Sequence, residues 1–151
     1  MEAYSLLLTL HSYLRWAVVI LAVIVVIRAL LGVSQKTAFT AADNRNGLFF
    51  MISADTQLLL GLLLYFWASP ITAQARADFG AAMKNPELRF WGVEHITGML
   101  IAWVLIHVGR SRSKKARTDL AKHRAALIFY GIAILLVLVS IPWASRPLFR
   151  T

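Results

Sequence analysis

The chain is 151 residues long, 59% hydrophobic and 15% charged, with a formal net charge of +9 and no cysteine. That balance leaves too little polar surface for a soluble domain of this size, and the missing thiols exclude disulfides, thiolate metal sites and thioether-linked haem. In a soluble protein the charge would point to nucleic acid; here it clusters between apolar windows and reads as topology, with a lipid bilayer as the partner.

Four apolar windows lie at about residues 5–27, 47–68, 90–108 and 125–143. Each approaches or exceeds the ~20 helical residues that cross a hydrocarbon core of roughly 30 Å. They use most of the chain, which predicts one membrane domain over residues 1–151. The first window carries His11 and Arg15 well inside its length. Its leader, Met1-Glu-Ala-Tyr-Ser5, has no positive charge and its apolar run is too long for a secretory signal, so a retained helix is expected. The polar connection from Gly32 to Asn46 ends in Ala-Ala-Asp-Asn-Arg-Asn-Gly, which reads as a turn into the second helix.

The second window contains Asp55, Gln57 and Gly61, the glycine favouring close helix approach, and Tyr65, Phe66 and Trp67 fit an interfacial belt. Ser69-Pro70 ends it, Thr72 to Met83 reads as a short surface helix, and Asn85-Pro86-Glu87 opens the third helix. That helix holds Gly92, Glu94, His95, Gly98, Met99, Trp103 and His107, and Pro142 closes the fourth, leaving residues 144–151 beyond it. Short connections favour an all-α, up-down-up-down four-helix bundle.

The connection Gly109 to Arg124 holds Arg110, Arg112, Lys114, Lys115, Arg117, Lys122 and Arg124 against Asp119 alone, and the first connection holds Arg28, Lys36 and Arg45 against Asp43. Between the second and third spans Arg76, Lys84 and Arg89 face Asp78 and Glu87. Positive charge stays in the cytoplasm, so both termini are expected on the outer, periplasmic side of a bacterial cytoplasmic membrane. Arg146 and Arg150 oppose this but are fewer. The basic 110–124 loop reads as a topogenic segment meeting anionic lipid, with a soluble acidic partner as the alternative.

Polar groups inside the spans are few. His11 lies about 9 Å into the first span and His95 about 7–8 Å into the third, at 1.5 Å per residue. On parallel helices the two imidazoles share a level near the outer leaflet. Facing helices of a bundle are where axial haem ligands converge, and neutral imidazole serves both faces of a haem b iron. Gly92 and Gly98 lower the bulk beside His95, and Met99 is placed to pack on a porphyrin edge. The alternative is that each histidine only hydrogen-bonds a neighbouring helix.

Arg15, about 15 Å deep, and Asp55, about 12 Å from the opposite side, approach one level and are expected to pair, with Gln57 joining them. The pair either fixes helix register, anchors a haem propionate or polarises a quinone head group. Glu94 is the alternative partner of Arg15, or a proton relay. His107 and His123, at the inner ends of their spans, leave a second haem conceivable. Both abut arginines at the water boundary, where histidine is ordinary.

The patterns LHSYLRW (10–16), DTQLLLGLLLYF (55–66), RFWGVEHITGM (89–99), GRSRSKK (109–115) and SIPWASRPLFR (140–150) resemble a family of small bacterial four-helix membrane proteins often labelled cytochrome b-like. The likeness covers nearly the whole chain. It implies that His11, Arg15, Asp55, Gln57, Glu94 and His95 belong to the family pattern, and it lends no such support to His107 or His123. The architecture is also similar to that of four-helix b-type cytochromes that exchange electrons with quinones.

The expected function is therefore a membrane b-type cytochrome. It would hold one haem b between His11 and His95, with Arg15, Gly98 and Met99 beside it, and would transfer electrons with a quinone or within a respiratory complex. A cofactor-free accessory subunit stays open. So does a small proton-coupled carrier using Arg15, Asp55 and Glu94, although no broken helix or inverted repeat supports it. No enzyme reaction is assigned, because the sequence holds no nucleophile–base pair or wider metal constellation.

Overall fold

A computed structural model describes residues 2–143. Among them the chain is helix and connecting turn, with no strand. Helix α1 spans Glu2–Gln35, and α2 spans Ala41–Leu63 and continues through a π-helical turn, Leu64–Ala68. Three short helices follow, α3 at Pro70–Ala77, α4 at Phe79–Lys84 and α5 at Pro86–Arg89. A second π-helical turn, Phe90–Glu94, leads into α6, His95–Lys115, and α7 covers Asp119–Ser140. Among the described residues four stretches are long and apolar enough to cross a membrane: Glu2–Gln35, Ala41–Ala68, Pro86–Lys115 and Asp119–Ser140. The residues beyond 143, expected at the outer face with Arg146 and Arg150, lie outside the described residues.

The helices outrun the apolar windows because polar caps set their ends. Thr40 and Asp43 form a capping box that satisfies the first amides of α2. The stretch from Ala41 to Gly47, read from sequence as a turn, is therefore already helical. Thr118 caps α7 by accepting from the Ala121 amide, and Lys36, at φ 53, ends α1 in the left-handed conformation. Asn85 accepts from the amides of Glu87 and Leu88, with Pro86 at the first helical position. The single surface helix expected over residues 72–83 is broken in two by Asp78, which caps α4 by accepting from Ala81.

Helix α1 packs broadly against α2 and α7, and α6 against α2 and α7. The seams are built from small residues: Ala22, Ala29, Ala54, Ala102, Ala126 and Ala133 are all buried. Lipid gives helices no hydrophobic reason to associate, so close backbone approach and dispersion must hold them together. Large side chains instead point outward, Val139 to 75% exposure and Leu135 to 62%, the arrangement a hydrocarbon solvent favours.

One end of the molecule carries the basic connections, the other the short helices. The basic end is tightly filled. A Cβ on Gly32 would stand 2.3 Å from the His123 ring, and one on Gly109 would meet Phe129 and Tyr130 at 2.7–2.9 Å. Phe50 is fully buried, with Tyr130 perpendicular to it at 5.3 Å. Arg28 binds Asp43 through Nε at 2.8 Å and Nη2 at 3.3 Å, while Asp43 also accepts from the Thr40 amide and hydroxyl.

Candidate functional site

At the short-helix end, side chains from α1, α2, α6, both π-helical turns and the end of α7 enclose a partly open cavity of about 240 Å³. Its walls are mostly apolar, with a few convergent polar groups, the usual make-up of a small-molecule site. His11, Ser12 and Arg15 come from α1, Gln57 and Gly61 from α2, Tyr65 from the first π turn, Trp91 from the second, and His95 and Met99 from α6.

His11 and His95, which the sequence places at one depth, lie with ring centres 6.5 Å apart and planes at 65°. Their helices are not broad packing partners, so the rings approach across the interior. His95 is held by the Ser140 carbonyl, 2.9 Å from Nδ1. A carbonyl can only accept, so Nδ1 carries the proton and the neutral ring keeps its lone pair on Nε2. Trp91 and Phe90 flank this ring at 5.4 and 5.9 Å. His11 differs: its Nδ1 is buried and has no hydrogen-bond partner among the described residues. The ring lies over Gly61, where an added Cβ would stand 3.3 Å from Cε1.

The π turns help to shape the site. An extra residue in the turn releases backbone carbonyls and re-aims the side chains that follow, and such turns concentrate at functional sites. Tyr65, in the first, donates to the Gly92 carbonyl in the second at 2.9 Å. Thr72 of α3 donates back to the Tyr65 carbonyl at 2.8 Å. His95 follows the second turn directly. Gly92 abuts Ala75, where a Cβ would stand at 2.7 Å, so α3 seats against the turn that delivers His95.

Several expected placements differ. Asp55 does not pair with Arg15; it accepts from the Trp103 indole at 2.7 Å and faces His107 Nε2 at 3.3 Å. Depth was matched but helical phase was not. Two residues of an α-helix subtend ~200°, so Asp55 cannot share the cavity face that Gln57 occupies. Arg15 approaches Ser12 Oγ at 3.5 Å and lies over the Trp16 ring. Glu94 binds Arg89 at 2.7 Å with half its side chain exposed, and so partners neither Arg15 nor the cavity. Gly98 does not line the cavity. Its missing side chain makes room for Ser140 Oγ, 2.4 Å from where a Cβ would stand, and so lets α7 bring its carbonyl to His95.

The second histidine pair is engaged in contacts within the bundle. His107 has both nitrogens engaged, Nδ1 by the Trp103 carbonyl at 3.1 Å and Nε2 by Asp55. His123 is 1% exposed, wedged against Gly32 and Phe39, with Nε2 3.4 Å from the Ala38 carbonyl.

Ser140, Tyr65, Trp91 and Trp103 also belong to the site or its support, without a sequence pattern that marks them. Ser140 acts through its carbonyl, which leaves no trace in a side-chain pattern, and the π turns have no sequence signature. Among the described residues no group of three or more His, Cys, Asp or Glu could hold a metal ion by itself. Set against protein-family models, curated proteins and solved structures, the chain matches none.

Proposed function

We propose that this is a multi-pass membrane protein of the b-type cytochrome class, with His11 and His95 as the axial ligands of one haem b. The observation that carries the reading is the 6.5 Å separation of the two ring centres across one cavity. Two metal–imidazole bonds of about 2.0–2.1 Å, with ring centres about 1.1 Å behind each nitrogen, give about 6.3 Å. The distance also suits an edge-to-face contact of two packed rings, so it supports the reading together with the cavity the rings border. The protonated Nδ1 of His95, oriented by a backbone carbonyl, is the usual support of a ligating imidazole.

The cavity is slightly smaller than the ~300–1,000 Å³ typical of small-molecule sites. A macrocycle would displace flexible lining side chains, of which Met99 is the most adaptable. When bound, haem supplies one-electron transfer. The chain's own contribution is to fix both imidazoles, keep the surroundings apolar and place the Arg15 guanidinium near the site, which favours an anionic group there.

The reading includes an up-down-up-down bundle in a bacterial cytoplasmic membrane, with both termini periplasmic and the basic end in the cytoplasm against anionic lipid. A quinone or a respiratory-chain protein would be the redox partner. The test is the visible spectrum of protein purified from a haem-replete host. A Soret band with sharp reduced α and β bands is expected, and it is lost in His11→Ala and in His95→Ala. Colourless wild-type protein would remove the proposal.

A further inference from the structure

Two buried polar atoms at the cavity have no partner among the described residues and are chemically complementary: His11 Nδ1 and Gln57 Oε1. The Gln57 amide nitrogen donates to the backbone carbonyl of His11 at 3.0 Å. Since that carbonyl cannot donate, the amide orientation is fixed, and its oxygen is the group left over. The two atoms left over thus belong to two residues already tied to each other. Each unsatisfied atom carries a desolvation penalty that a mutual hydrogen bond would remove.

We infer that Gln57 is the positioning residue of His11, clasping it through the backbone carbonyl with Nε2 and through the imidazole Nδ1–H with Oε1. The bond would form by a pivot of the ring about Cβ–Cγ on the side of the ring that borders the cavity. It sets the Nδ1–H tautomer and leaves the Nε2 lone pair as the ligating electrons. His95 reaches the same state by another route, through the Ser140 carbonyl on α7. The two ligands would thus be held from different helices, one by a side-chain amide and one by backbone. The inference deepens the haem reading and rests on it for its redox consequence, whereas the tautomer is a property of the chain alone.

Nitrogen NMR of protein labelled at histidine tests it. The wild type is expected to show His11 protonated at Nδ1, and Gln57→Leu to move it toward the Nε2–H form. Gln57→Glu keeps an acceptor oxygen but loses the donor to the His11 carbonyl. It is expected to retain the wild-type tautomer, which a merely structural tie would not allow. In haem-loaded protein Gln57→Leu should raise the midpoint potential, because a weaker Nδ1–H bond makes the imidazole a poorer donor to ferric iron. It should also speed haem loss about tenfold, the lower end of the range for second-shell partners.

An unchanged tautomer in Gln57→Leu, or equal loss in both variants, overturns the inference even if haem is bound. The expected tautomer pattern in protein that takes up no haem would uphold the clasp and remove the cytochrome reading instead.

Discussion

His123 and His11 both sit between helices, in opposite surroundings. His123 fills its place: Gly32 has no side chain because the ring stands where one would be, Phe39 closes one side, and the space left nearby is about 10 Å³. His11 borders a cavity of about 240 Å³ and keeps a buried nitrogen without a partner. The same residue type is packed tight at the basic end and borders open space at the short-helix end. The seams close on alanine and glycine at one end, and polar atoms are left over at the other.

That contrast can be broken by substitution, with stability followed by denaturing-detergent titration and circular dichroism. Phe50→Ala, in the tight half, removes a fully buried ring packed on Tyr130 and should cost about 3 kcal/mol. Gly32→Ala drives a methyl group into the His123 ring and should cost about 2 kcal/mol; a neutral result would show that the basic end is as yielding as the cavity. Asp43→Ala removes the partner of Arg28 and half of the capping box, for an expected loss of about 1–2 kcal/mol. Gly61→Ala is the counterpart of Gly32→Ala at the cavity. Its methyl meets only the edge of a ring with room to move, so the expected change is below about 0.5 kcal/mol. A loss equal to that of Gly32→Ala would erase the distinction between the two ends.

Much of this fold is legible in hydropathy, because four windows near the span length leave few alternatives for 151 residues. The ends of the helices are less so. Thr40 and Thr118 start helices through side-chain oxygens outside the windows, and α1 runs on to Gln35 past Arg28, the charge at which its apolar window stops. In the candidate site, counting residues from the window edges is enough to put His11 and His95 at one level. The same count misleads for Asp55, whose phase turns it to Trp103, and for Glu94, which sits in a π turn where α-helical spacing no longer holds. Ser140 enters through a backbone carbonyl, so nothing in its side chain announces the role.

The most direct measurement is haem content per chain, by absorbance against protein mass, in the wild type and four histidine-to-alanine variants. The account predicts one haem per wild-type chain, lost in His11→Ala and in His95→Ala, and kept in folded His107→Ala and His123→Ala. Protein without haem, or haem that leaves with His107 or His123 and stays without His11 or His95, would contradict it.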